Sequence, residues 1–527
     1  SESQIYENVN KIVKALNYKP TGYQTSTLTF GASADSTLNT EFYTIPRYSF
    51  INVGGVKFSL IRDASFAKTT SESEELKTLQ DEHLLYQGDY IEYPPQVVIG
   101  EEFETLLISA DSTDKIETNS IHIYVKDINT DTISEYKEVE SLYLHGPNDK
   151  VFEKRFNEDE LYEIKFGNGV TGTKLNPSDT VYVYYLKSSE DEGVIESNTI
   201  QNQNLLTYST PQFMDIRESV KPTNIDYITT TNLNKIKFTN YLPSTVPNEK
   251  EDVAEIKENA PKSFRSQGRL ITKEDFQLKI KRNFGNILTD VQVLDNTDYV
   301  TGYLDYLNTD LGLTNPNLEA RLLINQANFA TSTSFNNVYI IGVPRLENKT
   351  STNIQSNFLS TAQKQLIKNT VDLNKVIGSE IVFSDPVYVA FDICGVSNLE
   401  TPSTTLLDNS RLVIVPDDNL IQDKDNIKQN VSNILLTYFS NKNSKLGKLI
   451  DFTSLSNDIL NVDGVKSFYT TRTDQPDLKI EGLNLLAWNP VYENSDINTV
   501  NQNLQLPTFK FPYWFNTQDI TNKIILE

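Results

Sequence analysis

The first apolar pattern along the chain is helical. Ile5, Val9, Ile12, Val13 and Leu16 recur at intervals of three and four, with Glu7, Asn10 and Lys14 between them, so residues 3–17 are expected to form an amphipathic helix with those three polar residues opposite the stripe. Such a stripe must be buried, either in its own domain or against a partner. From 21 to about 68 the period falls to two, in "STLTFG" and "EFYTIPRYSFINVGGVKFSLIRD". Gly54-Gly55 between two alternating runs predicts a hairpin. Residues 70–84 read as a charged loop or short helix, and strand-like runs then continue to about 215: "IEYPPQVVIG", "IHIYVKD", "YEIKF" and "TVYVYYL".

Near residue 252 the pattern turns helical again. "EDVAEIKENAP" reads as a short helix ending before Pro261, and "LITKEDFQLKIKRNF" as a second, with Thr272 as N-cap and Asp275 closing a variant capping box. "ILTDVQVLD", "SEIVFSD" and "VYVAFDICGV" read as strands, with a helix over 361–378 ahead of the last two. The stretch 425–470 repeats the design: helix "DNIKQNVSNILLTYF", helix "DFTSLSNDILNV", strand "VKSFYTTR". The similar course of "DFQLKIKRNFGNILTDVQVL" and "DFTSLSNDILNVDGVKSFYT" suggests two related modules. The last forty residues read as an extended segment laid over a surface and ending in a short strand.

The expected fold class is therefore α+β and multi-domain, with mixed β-rich domains, small α/β modules and an extended C-terminal segment. Boundaries are expected to give an N-terminal helix and hairpin domain (1–88), a β-rich domain (89–215), a central α+β domain (216–355), a second α+β module (356–480) and the C-terminal segment (481–527). A length of 527 residues suits roughly three or four cores.

Charge narrows the possible partners. With 47 basic against 71 acidic residues the formal net charge is −24, which repels phosphate backbones and argues against nucleic-acid binding. The single cysteine, Cys394, precludes an intrachain disulfide and a cysteine-based zinc site, and its apolar run makes it a buried small hydrophobe. His83, His122 and His145 lie far apart, so no metal or catalytic histidine cluster is expected; His122, between Ile121 and Ile123, reads as an exposed strand position. No apolar run reaches the ~18 to 20 residues of a membrane span, so no membrane insertion is expected. The acidic, amphipathic start is unlike a signal peptide and, lacking Met, reads as processed or trimmed. The expectation is a soluble protein made in a cytoplasm.

One stretch imitates a catalytic motif. In "FGNGVTGTK", Gly167, Gly169 and Gly172 spell the dinucleotide fingerprint, which requires a helix after the glycines to receive the pyrophosphate. Here "TKLNPSD" and then "TVYVYYL" follow, a turn broken by Pro177 and a β-branched, aromatic strand. A P-loop fails too, since Thr173 separates Gly172 from Lys174 and Leu175 follows. Asn168-Gly169 suits a turn that needs positive φ, so Gly167, Asn168, Gly169, Gly172 and Pro177 are read as a structural turn, with Lys174 in water. The acidic runs "SESEE", "EEFE" and "SEDEG" read as solvated loops, and "DKDN" as a helix cap rather than a calcium loop. No catalytic, cofactor-binding or metal-binding residue is assigned. A glycosidase carboxylate pair leaves no local signature, which keeps a carbohydrate-binding or glycan-degrading protein as the alternative.

The order of these segments is more specific than any one of them. "YEIKFGNGVTGTKLNPSDTVYVYYL" resembles a stretch of the baseplate J-like proteins of contractile-tailed phages. "TIPRYSFINVGGVKFSLIRD", "APKSFRSQGRLITKEDFQLKIKRNFGNILTDVQV" and "VIGSEIVFSDPVYVAFDICGV" are similar to further segments of that family, in the family's order. The flanks "LNYKPTGYQTSTLTFG" and "GLNLLAWNPVYENSDIN" resemble its wedge branch in T4-like phages, whose members carry additional helical sequence before this point. The resemblance implies a structural subunit and not an enzyme, without cofactors. It would pair with itself, form an inner baseplate ring with other wedge proteins around the central hub, contact sheath-initiating proteins, and sit in the virion after assembly in the host cytoplasm. The residues expected at partner interfaces are Ile5, Val9, Ile12 and Leu16 near the start and Trp488, Trp514 and Phe515 near the end.

Overall fold

The computed structural model describes residues 2–35, 42–68, 76–80, 82–109, 115–188, 195–201, 203–204, 206–208, 211–223, 225–299, 336–346, 358–397, 402–417, 424–440, 443–490, 495–516 and 519–527. The fold is multi-domain α+β, and the chain divides into two compact units. The first comprises Ser1–Ile287 with Ser360–Lys375, the second Leu288–Leu359 with Val376–Glu527.

In the first unit, helix α1 (Glu2–Lys14) opens the chain. Its buried face is Tyr6, Asn10 and Val13, while Val9 and Leu16 pack part-buried on the same core and Ile12 is 68% exposed. Asn10 thus lies on the buried side, contrary to its expected outward position. It is tolerated there because its polar atoms are met: Arg155 donates to its main-chain oxygen (3.1 Å) and to its side-chain oxygen, and its amide donates to the Phe156 carbonyl (3.3 Å). The side chain of Ile5 lies outside the described residues.

Two large sheets follow. One runs in the order Leu206–Thr207, Phe50–Val53, Val56–Ser59, His83–Gln87, Thr27–Asp35, Leu76–Gln80, Ala64–Lys68 and Phe42–Ile45, with Ile236–Thr239 also on the 27–35 strand. Gly54 (φ +60°) and Gly55 (φ +93°) close the 50–59 hairpin, with Val53 opposite Val56. Within 70–84, expected as a charged loop or short helix, 76–80 is a strand and 83–84 open another that runs to 87; both pair with 27–35, whose backbone groups need partners on each side.

The second sheet is built around Thr180–Ser188, flanked by Asp89–Val97 on one side and by Lys115–Ile116 and His122–Lys126 on the other. It continues through Ile133–Val139, Val151–Phe156 and Tyr162–Phe166 to Thr105–Ile108 at its free edge. Tyr162, Ile164 and Phe166 face the core while Glu163 and Lys165 do not, the alternation read from the sequence. Strand 180–188 departs from alternation because both of its faces are covered. Val181 and Val183 join one core, Tyr184 and Leu186 another with Tyr48, Tyr90 and Tyr124.

Helix α2 (Pro211–Val220) lies against strand 133–139. Helix α3 (Val253–Ser266) begins at a capping box between Asp252 and Glu255 and runs through Pro261 instead of ending before it. The carbonyl that Pro261 leaves without a helical partner belongs to Lys257 on the exposed side, where water can serve it, while Ile256 and Ala260 stay buried. Helix α4 (Lys273–Asn283) carries the expected Thr272–Asp275 capping box, and helix α5 (Thr361–Asp372) one between Ser360 and Gln363.

The second unit holds a three-stranded sheet (Leu288–Leu294, Asn337–Pro344, Glu380–Ser384) and two four-stranded ones. In one of these, Val387–Ile393 lies between Leu485–Asn489 (antiparallel) and Lys510–Trp514 (parallel), with Ser495–Val500 outermost. In the other, Ser410–Pro416 lies between Val465–Arg472 and the terminal Ile524–Leu526. Helices α6 (Lys424–Tyr438) and α7 (Phe452–Leu460) bury Ile427, Val431, Leu435, Leu455 and Ile459 in the same core. The C-terminal segment ends in the expected short strand. On the way it supplies two fully buried strands, where an overlying surface segment was read from the sequence. Buried Lys523 donates to buried Asp392 (2.6 Å), tying the end of the chain to strand 387–393.

Candidate functional site and interaction surfaces

The glycine stretch forms a tight loop between two strands of one sheet. Gly169 (φ +84°) and Gly172 (φ +77°) occupy the left-handed region, where a Cβ is strained. Asn168 Oδ1 accepts from the amides of Val170 (3.0 Å) and Thr171 (2.8 Å), and Gly169 donates to the Gly172 carbonyl (3.0 Å). Gly167 is required for another reason: a Cβ there would sit 2.3 Å from the carbonyl carbon and oxygen of Gly172. Pro177 packs against Gly100, whose own Cβ would meet the proline nitrogen at 2.6 Å. Strand 180–188 follows with no intervening helix, so the loop amides have no helix N-terminus behind them, and Lys174 is exposed.

Of the acidic runs, 71–75 and 189–193 lie outside the described residues, as does Asp423 of "DKDN". In "EEFE", Glu101 and Glu102 are exposed, but Glu104 accepts from the amides of Ile99 (2.8 Å), Gly100 (2.7 Å) and Glu101 (3.1 Å). That carboxylate shapes its loop rather than facing solvent freely.

A polar cluster joins the two sheets of the first unit. Arg47 grips Glu135 with both nitrogens (2.7 and 3.1 Å), and Arg217 reaches Asp63 (2.7 Å), Tyr227 (2.9 Å) and Glu135 (3.4 Å). Arg47, Asp63, Glu135 and Arg217 line a cleft of about 470 Å³ together with Ile133, Ser134, Lys137, Val220 and Pro222. Asp63 and Glu135 are each held by arginine, so their oxygens are engaged in structural pairing between the elements they join.

His122 lies at the rear of this cluster, not at an exposed strand position. Its Nδ1 is 3.0 Å from the Tyr48 hydroxyl and its ring stacks on Tyr90 at 5.8 Å. Alternation correctly sets it opposite Ile121 and Ile123, but the second face of this strand is covered as well. Burial first, and then the positive charges of Arg47 and Arg217, push its pKa well below the usual histidine value, so it is neutral and no general base at the surface. Cys394 is fully buried. Among the described residues there is no group of three or more histidine, cysteine, aspartate or glutamate side chains that could hold a metal, and no helix long and apolar enough to cross a membrane.

The residues expected at partner interfaces fall into two sets. Near the N-terminus, Val9 and Leu16 contribute to the unit's own core and Ile12 faces outward. Near the C-terminus, Trp488 and Trp514 are buried in separate cores of the second unit. Phe515 is part-buried on Trp488, with ring centroids 4.9 Å apart, while Trp514 meets Phe439 at 5.4 Å. Sequence reading missed a set of exposed apolar residues in the loops around the glycine turn, including Tyr143, Leu144 and Val170. Their signal is an apolar residue inside a turn rather than beside one.

No protein-family model and no curated protein matches this chain. Among solved structures, it is similar to a chain in the baseplate of the anti-feeding prophage, at 11% identity over 95% of this chain and 79% of that one, with a TM-score of 0.29. It is also similar to a chain in the TssK–TssF–TssG baseplate subcomplex of a type VI secretion system, at 9% identity over 72% of this chain and 92% of that one, with a TM-score of 0.28. Both neighbours belong to baseplates, and TM-scores this low do not establish a common fold.

Proposed function

We propose that this chain is a non-enzymatic structural subunit of a contractile phage tail baseplate, of the wedge type found in T4-like phages. It pairs with itself and joins other wedge proteins, the hub and sheath-initiating proteins in the inner ring of the virion's baseplate. There it serves assembly and relays the signal for sheath contraction. The observation that carries this reading is the order of four sequence segments that resemble the baseplate J-like family. Their placement supports it: the segments fall on a glycine hairpin, a glycine turn between strands, a capped helix and a pair of strands of which the second is buried. Those are positions where backbone geometry and packing, not chemistry, dictate the residue.

The test is sedimentation of the full chain alone and mixed with candidate wedge proteins. Self-association together with a heavier mixed complex is the expected result. A chain that stays monomeric and recruits no tail protein would overturn the proposal.

A further inference from the structure

The loops at one end of the 180–188 sheet are knitted into a single surface. The Val98 amide donates to the Asp179 carbonyl (3.0 Å), and Asp179 Oδ1 accepts from the Ile128 amide (2.9 Å). Gly172 donates to the Gly146 carbonyl (3.1 Å), and the rings of Phe103 and Tyr143 lie 6.4 Å apart. On this framework Ile99, Ile128, Tyr143, Leu144 and Val170, with Leu107 on the adjoining strand, are 53% to 83% exposed. At roughly 100 to 150 Å² apiece their exposed surfaces sum to on the order of 700 Å², near the ~800 Å² per partner of a standard interface.

Among the described residues, the edge strand beside these residues also has no strand paired on its outer side. Phe166 donates to the Glu104 carbonyl, which puts Phe166 opposite Glu104 in a hydrogen-bonded pair. Antiparallel pairs alternate, so the backbone groups of Thr105 and Leu107 point away from the sheet. The opposite edge strand, Asp89–Val97, carries Pro94 and Pro95, which blunt an edge; Thr105–Ile108 contains neither proline nor charge.

We infer that this loop end is the docking face for a second copy of the chain, joined by antiparallel pairing of the two Thr105–Ile108 edges across a two-fold axis. Three features select a second copy. Identical edges satisfy each other's outward groups in one closed, isologous contact. The apolar area matches what a stable dimer needs. The surface also carries both signs of charge, Glu101 and Glu102 on one loop and Lys165 and Lys174 around the glycine turn, so a two-fold contact can set acid against base. A chain of net charge −24 would otherwise repel its copy. This assignment rests on the self-pairing part of the proposed function and gives it a location.

Sedimentation of the wild-type full chain, Leu107→Lys and Leu144→Lys over a concentration series tests it. The expected result is a wild-type dimer whose dissociation constant rises at least about tenfold in each variant. Hydrogen exchange at the Leu107 amide should also slow as wild-type concentration increases. Leu144 is 83% exposed, so its replacement leaves the core intact, and unchanged exchange in Val151–Phe156 confirms the fold. Variants that dimerise as tightly as wild type would overturn this location while self-pairing stands. A wild type monomeric to about 100 µM would overturn both the location and self-pairing, with recruitment of wedge proteins left as the separate test of the baseplate role.

Discussion

Adding one methyl group at Gly167 would place its Cβ 2.3 Å from the carbonyl carbon and oxygen of Gly172 and 2.7 Å from its Cα. These are backbone atoms, so no side chain can swing away to make room. The obstructing segment is tied down by Gly169 to Gly172 (3.0 Å), Gly172 to Gly146 (3.1 Å) and Thr173 to Asp149 (2.9 Å). Gly167→Ala should therefore displace the loop and lose about two of those bonds, at roughly 1 kcal/mol each, with added strain bringing the cost to about 3 kcal/mol. Gly169→Ala meets nothing closer than Lys174 Cβ at 3.5 Å, so only its φ of +84° matters, and about 1 kcal/mol is expected. Gly54→Ala, with φ +60° and nothing within 4 Å, should match Gly169→Ala. Hydrogen exchange of peptides over 146–179 in the full chain reads the loss locally, and urea titration by far-UV circular dichroism reads it globally. Both tryptophans lie in the second unit, so their fluorescence follows a region remote in sequence from the substitution. Equal costs for Gly167→Ala and Gly169→Ala would refute the reasoning, because the contact with Gly172 would then be irrelevant.

Two further outcomes follow from buried charges. Lys523→Met should cost about 3 to 5 kcal/mol by leaving the Asp392 carboxylate buried without its partner, and the double variant with Asp392→Leu should recover most of it. Fluorescence of Trp514, paired in register with Phe391, is the readout, and a single-variant loss below about 1 kcal/mol would contradict the pairing argument. Glu117 is fully buried, and burial pushes its carboxyl up to about 7 against the opposing pull of the Thr25 and Asn119 amides. The folded state then keeps a proton that the unfolded chain releases near 4.5. Its contribution is complete below that pH and lost as pH rises to about 7, roughly 3 kcal/mol in all. Urea midpoints between pH 4.5 and 7.5 should show this decline, and Glu117→Gln should flatten it; an unchanged slope in the variant would assign the effect elsewhere.

What could be read along the chain was local in origin. The Gly54-Gly55 hairpin, the Thr272–Asp275 box and the Tyr162–Phe166 alternation each depend on backbone geometry within a few residues, and those residues are adjacent in sequence. The two "Asp-Phe" stretches likewise share a helix, a turn and a strand. Yet α4 belongs to the first unit and its following strand to the second, whereas α7 and its strand stay together. Local similarity does not determine which core an element joins.

The remainder was decided by what covers the second face of an element. His122 and Asn10 were assigned outward from one-sided patterns, and each is covered by residues distant in sequence, Tyr48 and Tyr90 for one and Arg155 for the other. Trp488 and Trp514 look like interface anchors in a polar C-terminal segment and are core residues because strand 387–393 takes a neighbour on each edge. The sequence alone determined the α+β class and the turns and caps, since these follow from φ/ψ limits and hydrogen bonds between near neighbours. Only the tertiary structure decided which apolar residues are spent internally and which, like Tyr143, Leu144 and Val170, are left outside, because burial depends on every segment that packs against a surface.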